Sequence, residues 1–172
     1  TIAIEQYLEK IKLAQPDFLF IGGSSVAKSD FDRCVDMSKK ILSIPIIIFP
    51  GASHHLSKNA DALLFLSLIS GRNPDFLIGQ HVEAMDELAQ IDIETIPTSY
   101  LLIDGGKMTS VQYISRTQPI PQNEISIATK TALAGKYLGQ KLIYADAGSG
   151  AIQPISAAMI KALSKINSPL II

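Results

Sequence analysis

The 172-residue sequence predicts an α/β fold, a parallel sheet covered by helices. Three observations carry this expectation. Segments with helical apolar spacing alternate with short apolar runs almost throughout the chain. The main runs, "IPIIIF" and "DALLFLS" among them, are continuously apolar rather than alternating, as strands buried on both faces must be. Three of the runs end in small-residue loops, Gly22-Gly23-Ser24-Ser25, Gly51-Ala52-Ser53 and Gly148-Ser149-Gly150.

Taken in order, residues 3–14 predict a helix with Ile4, Tyr7, Leu8 and Ile11 on one face. "DFLFIGG" predicts a short buried strand stopping at Gly22-Gly23. Ser29 or Asp30 is the expected cap of a helix carrying Phe31, Cys34, Val35, Ser38, Ile41 and Leu42. "IPIIIF", closed by Pro50-Gly51, and "DALLFLS" predict two more strands. Asn73-Pro74 opens a helix expected to run to about Ala89, with Pro74 suited to its first turn. "IETIPTSYLLI" predicts a strand, and Asp104-Gly105-Gly106-Lys107 a hairpin turn into "TSVQYIS". Pro119 and Pro121 introduce an alanine-rich helix stopped by Gly139. "KLIYAD" predicts a strand, residues 156–166 a helix, and "PLII" the start of a further strand.

A doubly wound sheet and a (β/α)8 barrel both fit this alternation. Barrels typically need about 250 residues, whereas this sequence opens on a helix and stops on a bare strand. The simplest expectation is one incomplete barrel domain over residues 1–172, with the first strand and the last βα unit outside it. No linker or low-complexity segment divides the sequence.

Composition narrows the function. A net charge of −1 does not favour nucleic acid, which needs concentrated Lys and Arg. The single cysteine, Cys34, excludes an internal disulfide and lies on an apolar helix stripe, where a core role is expected. The longest apolar runs reach only half of the roughly 20 residues a spanning helix needs. No secretory signal opens the sequence, and a cytoplasmic location is the expectation.

The stretch "LIYADAGSGAIQP" concentrates the chemistry. It lacks the last glycine of G-x-G-x-x-G, and no G-K-[ST] follows any glycine loop. Two readings remain for Gly148-Ser149-Gly150: a plain strand-to-helix turn, or a phosphate-sized nest of amides with the Ser149 hydroxyl as an extra donor. Asp146 ends the strand beside that loop, where a carboxylate can act as a general base on a ligand hydroxyl. Because an acid repels phosphate, Asp146 should face the alcohol end of a small phosphorylated alcohol. His81, between Ile78 and Met85, is expected to be structural. His54-His55 lies in a polar loop without zinc-ligand spacing. Arg72 either meets an anion or caps a loop, and Lys107 is expected at the solvated surface.

Several long stretches together resemble the geranylgeranylglyceryl phosphate synthase family, including its bacterial heptaprenylglyceryl phosphate synthase relatives. They are "PDFLFIGGS", "IIIFPGA", "DALLFLSLISGRNPDFLIGQHVEA", "IPTSYLLIDGG", "KTALAGKYLG" and "KLIYADAGSGA". They are most similar to the branch found in bacteria and some archaea. The resemblance implies a modified TIM barrel that transfers a polyprenyl group, geranylgeranyl or similar, from its diphosphate to the C3 hydroxyl of sn-glycerol 1-phosphate. Diphosphate is released and Mg²⁺ assists, in the service of ether-lipid synthesis. By position, Tyr144, Ala145, Asp146, Ala147, Gly148, Ser149 and Gly150 would bind glycerol phosphate, with Asp146 against its hydroxyl. Ser24 matches a Mg²⁺-associated position, and Tyr100 would line the reacting end of the prenyl group. A homo-oligomer is implied as well. The family's Asp-Pro-Asp-Lys-like segment, its GGG loop and its Gly-Asn loop do not occur in this sequence. The competing expectations are another phosphate-binding barrel, of the sugar-phosphate isomerase or aldolase type, and a degenerate barrel used for binding.

Overall fold

The computed structural model describes residues 2–23, 26–166 and 168–172. Its strands are β1 (Leu19–Gly22), β2 (Ile46–Phe49), β3 (Ala62–Ser67), β4 (Glu94–Leu102), β5 (Leu142–Asp146) and β6 (Leu170–Ile171). They lie in one sheet in chain order, and β1–β2, β2–β3, β4–β5 and β5–β6 pair in parallel. A doubly wound sheet reverses its strand order at a switch point. Chain order without reversal is that of the TIM barrel, so topology decides between the two α/β alternatives.

Contacts divide the chain into two compact units, Thr1–Leu64 with Glu83–Thr95 and Phe65–Val82 with Ile96–Ile172. The first holds α1 (Ile2–Ala14), β1, α2 (Lys28–Ile41), β2 and the start of β3. Ile46, Ile47 and Ile48 are all buried, which requires cover on both faces of β2. Phe31, Val35 and Ser38 of α2 are the buried positions of that helix, at the expected helical spacing. Cys34 beside them is only half-buried, and burial raises its thiol above the ordinary range. The helix begins one residue before the predicted cap. Ala27 stands at the N-cap without a side-chain bond, and Ser29 and Asp30 lie inside the first turn. Lys28 supplies the anchor instead, its ammonium on Asp32 at 2.6 Å and on the Leu56 carbonyl at 3.0 Å.

His55 corrects the expectation of a polar loop. It is 1% exposed and stacked on Phe31 at 4.9 Å. Nδ1 accepts the Gly51 amide at 3.2 Å while Nε2–H donates to the Val26 carbonyl at 2.9 Å. One neutral imidazole thus joins the segments following β1 and β2, and burial lowers its proton affinity.

The second unit holds the end of β3, β4, α4 (Ser110–Ser115), α5 (Ile125–Tyr137), β5, α6 (Ala157–Leu163) and β6. Leu101 and Ile103 form one core with Ile143 and Ala145 of β5, Ala128 and Ala132 of α5, and Met159 and Leu163 of α6. Helix α5 approaches β4 closely because residue 135 is glycine; a Cβ there would strike the Ser99 hydroxyl. Gly139, at φ +90°, ends the helix segment as predicted.

Three local expectations differ. The segment opened by Asn73-Pro74 begins with a π-helical turn, Asp75–Gly79, before α3 (Gln80–Leu88). Residues 156–166 end in a 3₁₀ turn, Ser164–Ile166, with Ser156 capping α6. "TSVQYIS" is not the second strand of a hairpin but contains α4, capped by Thr109, whose hydroxyl accepts the Gln112 amide at 3.5 Å. The Asp-Gly signal misleads here because the glycines meet a loop more than forty residues away rather than their own flanks.

Candidate active site

The site is built where β4 and β5 end, within the second unit. Register places Tyr100 opposite Tyr144 and Leu102 opposite Asp146. Side chains alternate along a strand. With Leu101, Ile143 and Ala145 packed in the helix-covered core, Tyr100, Tyr144 and Asp146 therefore share the other face.

Tyr100 donates its O–H to Asp146 Oδ2 at 2.6 Å. Gly148 donates its amide to Oδ1 at 2.7 Å, an Asx-type turn that bends the chain off the strand. One oxygen is thus held from the sheet and the other from the loop. Each carboxylate oxygen keeps a further lone pair, and Asp146 is half-exposed, so the acid is oriented yet reachable. The Tyr144 ring stands edge-on to Tyr100 at 5.5 Å and 86°. Burial, reinforced by the Asp146 charge, pushes the Tyr100 phenol far above the ordinary tyrosine range, so it remains a donor to that carboxylate. Burial and the same charge raise Tyr144 as well.

Gly148 and Gly150 take φ of +86° and +71°, a backbone conformation that favours glycine. The Gly148 amide is spent on Asp146, which narrows the expected nest to the amides of Ser149 and Gly150. Among the described residues no acceptor takes either of these two amides, and both residues are exposed. Ala145 contributes only backbone, since its side chain is buried with the helices. Ala147 is half-buried at the base of the loop.

The remaining candidates are dispersed. Ser24 lies outside the described residues. His81 is a buried structural histidine, its Nε2 3.3 Å from the Ser67 hydroxyl and its ring edge-on to Phe65; burial lowers its proton affinity. Arg72 caps its own loop through the Gly71 carbonyl at 2.6 Å. It also lines an open cavity of about 650 Å³ with Arg116. No group of three His, Cys, Asp or Glu able to hold a metal occurs among the described residues. No helix among them is long and apolar enough to cross a membrane.

Sequence reasoning missed that Tyr100 addresses Asp146. The two are 46 positions apart, and the only trace in the sequence is that both fall near the ends of predicted strands.

The comparisons with known proteins bear on the same strands and loops. The chain is 47% identical over 164 residues to the geranylgeranylglyceryl phosphate synthase of Chitinophaga pinensis, covering 95% of this chain and 65% of that protein. It is 37% identical over 158 residues to the synthase of Pyrococcus furiosus, covering 91% of this chain and 62% of that protein. The chain thus spans about two thirds of the length of these relatives. Two solved structures superpose with a TM-score of 0.90. One is (S)-3-O-geranylgeranylglyceryl phosphate synthase from Thermoplasma acidophilum in complex with its substrate sn-glycerol-1-phosphate, 30% identical, covering 97% of this chain and 68% of that one. The other is the wild-type enzyme from Thermoplasma volcanium, 34% identical, covering 97% and 67%. Residues 2–172 match the PcrB family, and with relatives this similar over nearly the whole chain, the protein belongs to that family.

Proposed function

We propose that the protein transfers a polyprenyl group from its diphosphate to the C3 hydroxyl of sn-glycerol 1-phosphate. The observation that carries this reading is the Asp146 carboxylate, held by Tyr100 and Gly148 at the root of a glycine loop. The loop amides at 149 and 150 are suited to the phosphate, and the acid to the alcohol. Relatives named for this synthesis, and a structural neighbour in complex with sn-glycerol-1-phosphate, support it.

In the reaction, Asp146 accepts the C3 hydroxyl proton as that oxygen attacks the allylic C1 of the prenyl chain. The C1–O bond to diphosphate breaks, and diphosphate departs with the bonding electrons. A positioned carboxylate contributes roughly 10²–10⁴ in rate. Tyr100 holds the carboxylate in its proton-accepting orientation throughout. The prenyl chain would gain about 0.8 kcal/mol per buried CH₂.

Mg²⁺ belongs to the proposal as a partner of the diphosphate. Such ions are commonly held by one or two carboxylates and the substrate's own phosphates rather than by a protein cage. The described residues form no cage, and the expected Ser24 contact lies outside them. When bound it would supply charge neutralisation for the leaving group. Homo-oligomerisation and a cytoplasmic location are parts of the same proposal.

The test is turnover by the full-length protein with labelled glycerol 1-phosphate and a series of prenyl diphosphates. Asp146→Ala should cut kcat by about 10²–10⁴. Undiminished turnover would remove Asp146 from the chemistry.

A further inference from the structure

We infer that Lys107 is the cationic ligand of the substrate phosphate, and that the loop between β4 and α4 forms the second wall of the site. This rests on the reading of the Ser149-Gly150 loop as a phosphate site. Two loops distant in sequence interlock through glycines. The Gly105 carbonyl accepts the amides of Ile152 and Gln153 at 2.9 and 3.0 Å, and a Cβ on Gly105 would strike the Ala147 carbonyl. A Cβ on Gly148 would come within 2.7 Å of the Thr109 hydroxyl. A Cβ on Gly150 would lie 3.1 Å from Lys107 Nζ and 3.7 Å from its Cε. The ammonium therefore rests against the residue whose amide, with that of Ser149, has no acceptor among the described residues.

The backbone from which Lys107 springs is tied down. Asp104 Oδ1 accepts the Gly106 amide at 2.9 Å, and Gln122 Nε2 donates to the Asp104 carbonyl at 2.8 Å. Among the described residues no carboxylate pairs with Lys107. Lys107 itself is exposed, as the sequence suggests, so its ammonium is open to a ligand.

The physical consequence is a directed ligand. Lysine binds phosphate as a point charge, and Asp146 repels it. With the carboxylate at the start of the loop and the ammonium over its end, the phosphate goes to Gly150 and the alcohol to Asp146. Reversing the molecule would place like charges together. Lys107 thus sets the orientation that presents the far hydroxyl to the base, without touching the reacting atoms.

Binding of glycerol 1-phosphate and of glycerol to the full-length protein, together with both KM values, tests the inference in Lys107→Met and Lys107→Arg. A charge-assisted hydrogen bond at an exposed position should be worth the low end of its range, so Lys107→Met should weaken glycerol 1-phosphate about tenfold in Kd and KM. The KM for prenyl diphosphate, glycerol binding and the melting temperature should stay near wild type, and Lys107→Arg should recover most of the affinity. Added salt should weaken the wild type more than the Met variant. Lys107→Met binding as tightly as wild type, or both KM values rising together, would overturn the role of Lys107. A wild type that binds no glycerol 1-phosphate would overturn the phosphate-site reading and the role with it.

Discussion

Replacing Tyr100 with Phe removes one atom, the oxygen that donates to Asp146 at 2.6 Å. The ring stays, with its edge-on packing against Tyr144, and the position is 7% exposed, so the fold should persist. A hydrogen bond to a charged acceptor is worth about 1.5–3 kcal/mol. If the whole of that value orients the carboxylate in the transition state, kcat should fall by about 10–100-fold, since 1.36 kcal/mol is one decade. The KM for glycerol 1-phosphate should hardly move, because the hydroxyl binds Asp146 and not the phosphate. Steady-state kinetics on the full-length protein reads both quantities. Wild-type kcat would refute the argument that Tyr100 positions the base. A rise in KM alone would refute it too, because it would make Tyr100 a binding residue.

Two glycine substitutions separate strain from collision. Gly139 and Gly148 share nearly the same φ, +90° and +86°, but a Cβ at 139 meets nothing within 4 Å while one at 148 meets Thr109. Gly139→Ala should cost about 1 kcal/mol and Gly148→Ala as much as about 3 kcal/mol in urea unfolding; equal losses would count against the loop packing. The pH dependence of stability should follow the buried histidines. Burial lowers the proton affinity of both His55 and His81 in the fold. The unfolded chain therefore takes up protons first as pH drops below the ordinary value of 6.5. Stability is full above that value and is lost below it. Melting temperatures between about pH 7.5 and 5 should decline toward acid, with a shallower slope in His55→Phe; an unchanged slope would exclude His55 as a source.

Much of this was legible from local signals. Continuous apolar runs such as "IPIIIF" placed β2, and Gly139 marked a helix end, because burial on both faces and a left-handed stop leave traces in adjacent residues. Asp146 and its glycine loop were legible for the same reason: strand end, acid and glycines are contiguous. The hairpin expected at Asp104 failed because the residues that select the loop conformation, Ala147 and Ile152 among them, are remote in sequence. Local chemistry permitted a turn there and could not say what the turn would face.

By itself, then, the sequence determined the kind of fold, the order of its elements apart from α4, and the position of the acid, since these follow from propensity, burial pattern and turn chemistry read along the chain. Only the tertiary structure decided that Tyr100 speaks to Asp146, that His55 is buried, and that Lys107 lies over Gly150. Strand register and loop packing bring residues 46 or 43 positions apart to within contact. Such pairings carry no periodic signature, because each partner satisfies its own local rules whether or not the other is there.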